Sequence, residues 1–279
     1  MTVKKQPSIN AGNFTFYSAQ YSRFGSRLAA EVRLEAYGVD LGQQGWRSLG
    51  EQGEIIGLVQ ENPQGKLLDV ACGSGGPSIA IAAATGCRLT GVDIEEAAIE
   101  HAKALAAAAH LPLGATFVVA DCSQRLPFDK GEFDVISCID AIIHLASRRE
   151  VFADWFRLLR PGGRLILTDA CVLTGAVSKE ELDIRASQGK FHIVPTAFNE
   201  LMLERAGFEL SLCRDTTEAV SNLALRLYRA RQSRRAALLE EEGADWFESR
   251  QVFLKTTAEL AAARRLSRFL YVAEKPMQT

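Results

Sequence analysis

The stretch LLDVACGSGGPSIAIA at residues 67–82, followed by TGVDIEEAAIEHAK at residues 90–103, decides the fold of this chain. An apolar run ends in a glycine-rich turn, a helical pattern follows, and Asp93 comes twenty residues after Gly73. This arrangement predicts a nucleotide-binding βαβ start, in which Gly73 and Gly75 let the backbone approach a ligand without a Cβ in the way. An acid at the end of the second strand can accept hydrogen bonds from two ribose hydroxyls, which predicts that role for Asp93.

The glycine loop departs from the dinucleotide pattern G-x-G-x-x-G in two ways. Pro77 stands where the helix begins, so one of the N–H groups that a pyrophosphate site uses is absent. Asp69 lies four residues before the first glycine and would repel a phosphate. A cationic ligand with an amino group would suit Asp69 better, so we expect a ligand that combines a ribose with positive charge.

The pattern D-x-x-x-G-x-G at residues 69–75, with an acid after the second strand, resembles the class I S-adenosylmethionine-dependent methyltransferases. Three later segments match the third, fourth and fifth strands of that family, in order: FVVADCSQRLPF (117–128), FDVISCIDAIIHL (133–145) and LLRPGGRLILTDA (158–170). The resemblance covers about residues 65–170 and implies S-adenosylmethionine as the cofactor.

The resemblance also implies which residues bind the cofactor. In the family, an acid after the third strand and the next backbone N–H hold the adenine, which gives this role to Asp121 and Cys122. Each feature has an ordinary alternative, because a glycine turn can be a tight connection and an aspartate can cap a helix or turn. Their joint occurrence at family spacing favours the cofactor site. The expected cofactor-binding residues are Asp69, Gly73, Gly75, Asp93, Ile94, Asp121, Cys122, Ile139 and Gln44.

The segment IDAIIHL at residues 139–145 resembles the corresponding segment of the phosphoethanolamine and glycine-sarcosine N-methyltransferases. In the phosphoethanolamine enzymes the acid orders the substrate amine and the histidine pairs with a tyrosine from the N-terminal lid. The resemblance implies that Asp140 holds a substrate ammonium and that His144 lies beside the transferring methyl group. Tyr17 and Tyr21 are the available tyrosines, and we favour Tyr21. The alternative is that His144 caps a helix or satisfies a core hydrogen bond.

The resemblance to the phosphoethanolamine enzymes ends downstream. The family places an arginine and a tyrosine, spaced R-x-Y, where residues 188–192 of this chain read QGKFH. Without a guanidinium fork a phosphate would be held poorly, so we do not expect a phosphorylated substrate. A histidine with a pKa near neutrality suits removal of a proton from an amine, but an oxygen or an acidic carbon would need the same help.

The leading functional prediction is therefore methyl transfer to a small molecule, most simply to the nitrogen of an amine or amino acid. Two alternatives stay open. One is an O- or C-methyltransferase of secondary metabolism, and the other is a cofactor-binding partner protein that no longer methylates.

Strand-like segments alternate with helical patterns from about residue 66, which predicts an α/β fold with a doubly wound, mostly parallel, seven-stranded sheet. ELSLCRD (209–215) and RFLYVAEK (268–275) read as the sixth and seventh strands. The resemblance implies that the seventh strand enters antiparallel beside the sixth. Ser147 with Glu150 predicts a capping box, and Ser178 predicts another helix start. Thr196 is expected to cap the helix that Gly207 ends.

Two helical regions flank the sheet and predict a lid. Residues 1–60 form the first, and residues 61–279 form the methyltransferase domain, with a helical insertion at about residues 216–266. A stripe of apolar residues in the insertion recurs at helical spacing. Together the two regions resemble the lid that small-molecule methyltransferases fold over their substrate. In the segment YGVDLGQQGWRSLGE (37–51), the residues expected to close over the methionine end of the cofactor are Gln43, Gln44 and Trp46. The alternative is a glycine-rich connector with a packed tryptophan.

Composition predicts an ordinary globular protein. The 279 residues are 47% hydrophobic and 24% charged, with a net charge of −2, so no positive field recruits nucleic acid. Five arginines in residues 226–235 precede a run of glutamates, which indicates a solvated helix face. The six cysteines are scattered and predict neither a disulfide framework nor a zinc or other metal site.

No stretch of eighteen apolar residues is present, which argues against a membrane span. MTVKKQPSINAGNFTFY at residues 1–17 lacks a hydrophobic signal segment, so we expect a cytoplasmic protein. We expect no nucleic-acid or membrane partner, and the sequence does not predict the oligomeric state.

Overall fold

The structure is a computed structural model that describes residue 17 and residues 19–21, 23–61 and 64–277. Its strands, numbered along the chain, are β1 (Lys66–Val70), β2 (Arg88–Asp93), β3 (Ala115–Val119), β4 (Phe133–Cys138), β5 (Leu159–Leu173), β6 (Val194–Pro195), β7 (Glu209–Asp215) and β8 (Leu266–Glu274). Its helices are α1 (Arg27–Tyr37), α2 (Leu49–Gln60), α3 (Gly76–Thr85), α4 (Glu96–Ala109), α5 (Arg148–Leu158), α6 (Lys179–Arg185), α7 (Phe198–Ala206), α8 (Thr217–Ser233), α9 (Arg235–Glu242) and α10 (Ala244–Ala262).

The strands form one twisted sheet in the order β3-β2-β1-β4-β5-β8-β7. The first five strands of the chain pair in parallel, and β8 pairs antiparallel with both β5 and β7. The predicted doubly wound sheet with an antiparallel last strand is therefore confirmed. The sequence analysis missed β6, which has two residues and pairs with the far end of β5.

Apolar helix faces cover both sides of the sheet, as a parallel sheet requires. On one side, α5 and α7 bury Phe152, Trp155 and Leu203 in a cluster with β4 and β5. On the other side, α2 and α4 bury Ile55 and Ile99 against β1 and β2. The strand order reverses between β1 and β4, so the carboxyl ends of these two strands open into the crevice where ligands bind in such sheets.

A third apolar cluster joins the N-terminal region to the helices between β7 and β8. Ala36 and Trp46 pack there with Leu223 of α8 and Phe247 and Leu254 of α10. The apolar stripe predicted in the insertion is buried in this cluster. The two predicted lid regions thus pack against each other, although the division into domains stays a prediction. None of the described helices is both long and apolar enough to cross a membrane.

Two of the predicted helix ends match the structure, and two do not. Ser178 caps α6 and forms a full capping box with Glu181, and Gly207 ends α7 in the left-handed conformation. The capping box predicted at Ser147 is wrong, because the side chain of this N-cap residue makes no capping hydrogen bond. The cap predicted at Thr196 is also wrong, because Ala197 is the N-cap, with a φ of 64° and no side-chain bond.

The basic run in α8 is more buried than predicted. Arg231 pairs with Glu242 at the end of α9, with exposed side-chain fractions of 10% and 7%. Arg234 pairs with Glu31 and Glu35 of α1. These arginines therefore hold the lid helices together, and the prediction of a purely solvated face is wrong.

Candidate active site

The glycine loop after β1 is organised around Asp93 at the end of β2. The backbone N–H of Gly73 donates to Oδ2 of Asp93 at 2.8 Å, and the N–H of Glu95 donates to Oδ1 at 2.9 Å. Gly73 and Gly75 have φ values of 56° and 73°, in the left-handed region that favours glycine. A Cβ on Gly73 would lie 2.5 Å from the hydroxyl of Tyr21, so the close approach there also needs glycine.

The N-terminal region rests directly on this loop. A Cβ on Gly76 would lie 1.7 Å from the carbonyl oxygen of Leu41, so only glycine lets the two backbones meet at this point. The hydroxyl of Ser74 donates to the carbonyl of Gly42 at 3.0 Å. The loop that precedes α3 is therefore shaped by the lid as well as by any ligand.

Asp69, at the base of the loop, is turned into the protein. Its Oδ1 accepts a hydrogen bond from Ser137 Oγ at 2.7 Å. Burial raises the pKa of the Asp69 carboxyl, while Ser137 and the charge of Arg47 act in the opposite direction. A ligand cavity opens beside the loop. Asp69, Gly73 and Gly75 do not line it, so they support the residues that do.

A cavity of about 440 Å³ opens at the carboxyl ends of β1, β2 and β4. The expected cofactor-binding residues that line it are Asp93, Ile94, Asp121, Cys122, Ile139 and Gln44. The expected catalytic residues His144, Asp140 and Tyr21 line it too. One continuous cavity therefore joins the predicted nucleoside end to the predicted reaction end, and its size is typical of a small-molecule site.

His144 lies at the end of a single 3₁₀ turn, Ile142–His144, after β4. Its Nε2 lies 2.9 Å from the hydroxyl of Tyr17, and its Nδ1 lies 3.2 Å from the carbonyl oxygen of Lys190. A carbonyl can only accept, so Nδ1 carries the proton and Nε2 accepts from Tyr17. The imidazole also stands edge-on to the rings of Tyr17 and Phe191, at centroid distances of 5.3 and 5.0 Å.

Burial decides the charge state of this pair. Burial lowers the pKa of His144 to about 4, and the positive charge of Arg185 acts in the same direction. Burial also raises the pKa of the Tyr17 hydroxyl. At neutral pH both groups are therefore neutral, and the lone pair of His144 Nε2 accepts from the hydroxyl of Tyr17. The expectation of a histidine pKa near neutrality is wrong, because burial lowers the pKa of His144.

The preference for Tyr21 as the partner of His144 is wrong, because Tyr17 makes that contact. Tyr21 lies at the glycine loop instead, where its hydroxyl faces Gly73 and its carbonyl oxygen lies 3.2 Å from Nε2 of His101. Four residues separate the two tyrosines, which is about one helical turn, and residues 17 and 19–21 are helical. The sequence could not decide which turn faces His144.

Asp140 is not available for a substrate ammonium in this structure. Its Oδ1 accepts from Arg268 Nε at 2.6 Å and from Thr168 Oγ1 at 3.0 Å. Its Oδ2 accepts from the backbone N–H of Trp46 at 2.6 Å and from Arg268 Nη2 at 3.3 Å. Glu51 holds the other side of Arg268 through bonds of 2.6 and 2.7 Å. The structure therefore corrects the expected role of Asp140, whose charge is already balanced.

The lid segment at residues 37–51 reaches the cavity with two of its three expected residues. Gln44 lines the cavity and hydrogen-bonds Gln20, and Trp46 lines it beside Phe253. Gln43 does not line it, because its side chain binds the backbone of its own loop at Leu41 and Val39. The expectation for Gln43 is therefore wrong.

The sequence analysis missed three cations at the reaction end. Arg185 of α6, Lys190 and Arg250 of α10 line the cavity near His144. The QGKFH segment at residues 188–192 lacks an arginine, as expected, but Arg185 brings a guanidinium to this end of the cavity from outside that segment. Of the three aromatic rings beside Arg185, those of Trp46 and Phe253 come from distant parts of the chain.

Residues 67–163 match the family described as "Methyltransferase domain". Among curated proteins, 27-O-demethylrifamycin SV methyltransferase of Amycolatopsis mediterranei is 30% identical over 167 residues, which cover 59% of this chain and 61% of that protein. Phosphoethanolamine N-methyltransferase of Triticum aestivum is 31% identical over 170 residues, which cover 59% of this chain and 32% of that protein. The match thus spans less than two thirds of the first relative and about a third of the second.

Among solved structures, the cyclopropane synthase MmaA2 of Mycobacterium tuberculosis superposes with a TM-score of 0.78. The superposition covers 94% of this chain and 98% of that chain, at 17% sequence identity. At this identity the likeness establishes a shared fold over nearly the whole chain.

Proposed function

We infer that this chain, whose residues 67–163 match the methyltransferase domain family, is a class I enzyme that transfers a methyl group from S-adenosylmethionine to a small molecule. The observation that carries this inference is the single cavity, because it joins an acid-lined end to the Tyr17–His144 pair. When bound, S-adenosylmethionine supplies a methyl group activated by a positively charged sulfur.

The residues present fit this cofactor. Asp93 is fixed by the N–H groups of Gly73 and Glu95 and can still accept bonds from ribose hydroxyls, since each carboxylate oxygen has two lone pairs. Asp121 is an exposed carboxylate at the same end of the cavity and can accept from an exocyclic amino group. These acids suit a cationic nucleoside and would repel a phosphate. The residues we assign to the cofactor are Asp93, Ile94, Asp121, Cys122, Ile139 and Gln44.

At the reaction end, the chain aligns the acceptor and takes up its proton. Displacement at a sulfonium needs no acid for the leaving group, so alignment in a dry pocket supplies most of the acceleration. Neutral His144 is held by Tyr17 and Lys190, and its Nε2 accepts from the hydroxyl of Tyr17, so the proton that an attacking amine, hydroxyl or acidic carbon loses can reach Nε2 through that hydroxyl. Tyr17 then takes the proton from the acceptor and passes its own to His144.

We propose nitrogen as the acceptor atom, on the resemblance of the segment that holds His144. A second candidate, an oxygen or carbon acceptor, is favoured by the ion pair of Asp140 with Arg268, which removes the acid expected to hold an ammonium. Net charge of −2 supports a small-molecule acceptor over a nucleic acid. The cytoplasmic location stays a prediction, since residues 1–16 lie outside the described residues.

Calorimetric titration with S-adenosylmethionine and S-adenosylhomocysteine tests the cofactor. Asp93→Asn weakens binding at least tenfold, because a neutral amide loses the charge-assisted bonds of a carboxylate. Asp183→Asn is the matched control, since Asp183 is an exposed residue of α6 that pairs with Lys179. Equal affinity of Asp93→Asn and wild type would contradict the cofactor assignment.

A methyltransferase screen over amines, amino acids, phenols and prenyl or polyketide acids tests catalysis. His144→Asn can keep the hydrogen bond to Lys190 but removes Nε2, so it lowers kcat while cofactor affinity is unchanged. His110→Asn is the control, because His110 is exposed at the end of α4. Cofactor binding without turnover on any acceptor class would favour a non-catalytic partner protein.

A further inference from the structure

The guanidinium of Arg185 is a buried charge in the cavity wall. The residue is 1% exposed. Its guanidinium carbon lies 4.8, 5.0 and 5.8 Å from the ring centroids of Phe191, Phe253 and Trp46. Aromatic rings attract a cation through their faces, but they offer no hydrogen-bond acceptors to its edge.

The hydrogen bonds of Arg185 leave most of this edge unused. Nη2 donates to the carbonyl of Ala170 at 3.5 Å, the limit of a hydrogen bond. Nε and Nη1 are buried and meet no acceptor in the described part of the chain. No carboxylate among the described residues lies within ion-pair distance of Arg185. A buried charge without a partner is costly, so the site is built for an acceptor that the protein itself does not provide.

Acidic and basic side chains line different ends of the cavity. Asp93 and Asp121 line the end assigned to the cationic cofactor, whereas Arg185, Lys190 and Arg250 line the end around His144. Burial raises the pKa of the Tyr17 hydroxyl, and the positive charges of Arg250 and Arg185 act in the opposite direction. A cationic cofactor satisfies the acids and leaves the basic end to the second ligand.

We propose that the methyl acceptor is an anion whose carboxylate or phosphate oxygens bind the free edge of Arg185. This inference rests on the proposed function and adds the chemical class of the acceptor. Aromatic rings pack against the guanidinium, and its N–H donors point outward in the guanidinium plane. This arrangement matches two oxygens of a carboxylate or phosphate. Phe191 contacts both Arg185 and His144, so the anionic group and the methylated atom would lie near the same aromatic ring.

The aromatic rings beside Arg185 also indicate the chemistry of the part of the acceptor next to its anionic group. Phe191, Phe253 and Trp46 surround the guanidinium of Arg185 and line the same cavity, so we expect the part of the acceptor next to the anionic group to be apolar or aromatic. An amino acid or an aromatic acid meets this description, and a neutral amine does not.

Matched pairs of probes test the proposal on protein loaded with S-adenosylhomocysteine. The pairs are phenylacetate with methyl phenylacetate, sarcosine with its methyl ester, and phosphoethanolamine with ethanolamine, each titrated by calorimetry. In at least one pair the member that carries the carboxylate or phosphate, called the anionic member, binds about 10- to 100-fold more tightly than the analogue that lacks this group, as expected for charge-assisted hydrogen bonds. The carboxylate and phosphate arms identify which anion the site takes.

Arg185→Met keeps the length and the ring contacts but removes the charge, and it abolishes the preference for the anionic member. Because the native charge is unpaired, this variant is at least as stable as the wild type, whereas loss of a structural arginine would lower stability. Arg185→Lys keeps the charge without the fork and retains a reduced preference. Arg229→Met, at an exposed position of α8, is the matched control.

Two results would overturn the proposal. One is equal binding, in all three pairs, of the members with and without the carboxylate or phosphate to the wild type, and the other is an unchanged preference in Arg185→Met and Arg185→Lys. Failure of the protein to bind S-adenosylhomocysteine would instead refute the proposed function, so the two failures are distinguishable.

Discussion

Asp140→Asn separates a structural role of this carboxylate from a role in substrate binding. In the structure, Asp140 accepts four hydrogen bonds, two from Arg268, one from Thr168 and one from the N–H of Trp46. The side chains of Asp140 and Arg268 are 4% and 0% exposed, so solvent cannot replace a lost partner. An asparagine would turn one acceptor oxygen into an NH₂ group that points at two donors.

The expected cost follows from these contacts. Breaking a buried ion pair by removing one charge costs about 3–5 kcal/mol of unfolding free energy. Glu51 still faces Arg268 in the variant, so we expect the lower half of that range, about 3 kcal/mol. Urea unfolding followed by tryptophan fluorescence at pH 7.5 measures it. Asp183→Asn, in an exposed pair with Lys179, is the control and changes stability by less than about 0.5 kcal/mol.

The pH dependence gives a second readout of the same pair. Burial opposes the charged form of Asp140, but the charge and hydrogen bonds of Arg268 outweigh burial and lower the pKa of the carboxyl. This group therefore stabilises the fold above its unfolded pKa and loses that contribution as pH falls through the folded pKa. In Asp140→Asn the free energy of unfolding therefore falls less steeply with decreasing pH than in the wild type. A variant as stable as the wild type, with a raised KM for an amine, would refute the reasoning and restore the substrate role.

Further outcomes are expected at three other positions. Gly76→Ala forces the Leu41 carbonyl away from α3, so it weakens S-adenosylhomocysteine binding in calorimetry, while Gly53→Ala, with open space around its Cβ, does not. The pKa of His144 is lowered to about 4 by burial, so the fold loses about 2 kcal/mol from this group between pH 7.5 and pH 5, and urea unfolding of His144→Asn lacks that part of the slope. Ser178→Ala removes the capping box of α6 and lowers the melting temperature by an amount equivalent to about 1 kcal/mol, with Ser233→Ala at the end of α8 as a milder comparison.

The fold could be predicted because its signals are local. The glycine turn, the acid after β2 and the alternation of apolar runs with helical patterns all lie within short windows, and each predicted strand from β1 to β5 was found. The antiparallel β8 followed from the family resemblance. By contrast, Ser147 and Thr196 carry plausible cap sequences, but tertiary packing set the adjoining backbone and left neither side chain in a capping bond.

A site residue could be predicted from the sequence only where its position after a strand was enough to place it in the cavity wall. Asp93, Asp121 and His144 follow strands directly and were found on the cavity wall. Some partners of Asp140 and Arg185 come from distant chain positions: Arg268 lies 128 residues after Asp140, and Trp46 precedes Arg185 by 139 residues. Packing decides which charged side chains form ion pairs, and the sequence alone does not show it. The sequence therefore predicts that Asp140 binds the substrate, although it pairs with Arg268.

The place of β8 in the sheet has a consequence for biosynthesis. β8 follows the other described strands in the chain, yet it lies between β5 and β7 and carries Arg268, the partner of Asp140. Until β8 emerges from the ribosome, the edge of β5 has no neighbour there and the carboxylate of Asp140 has no counter-ion. Such long-range pairing folds slowly, and unpaired edges invite association between nascent chains. The glycine loop is thus synthesised early, but the pocket beside it is completed only by a late strand.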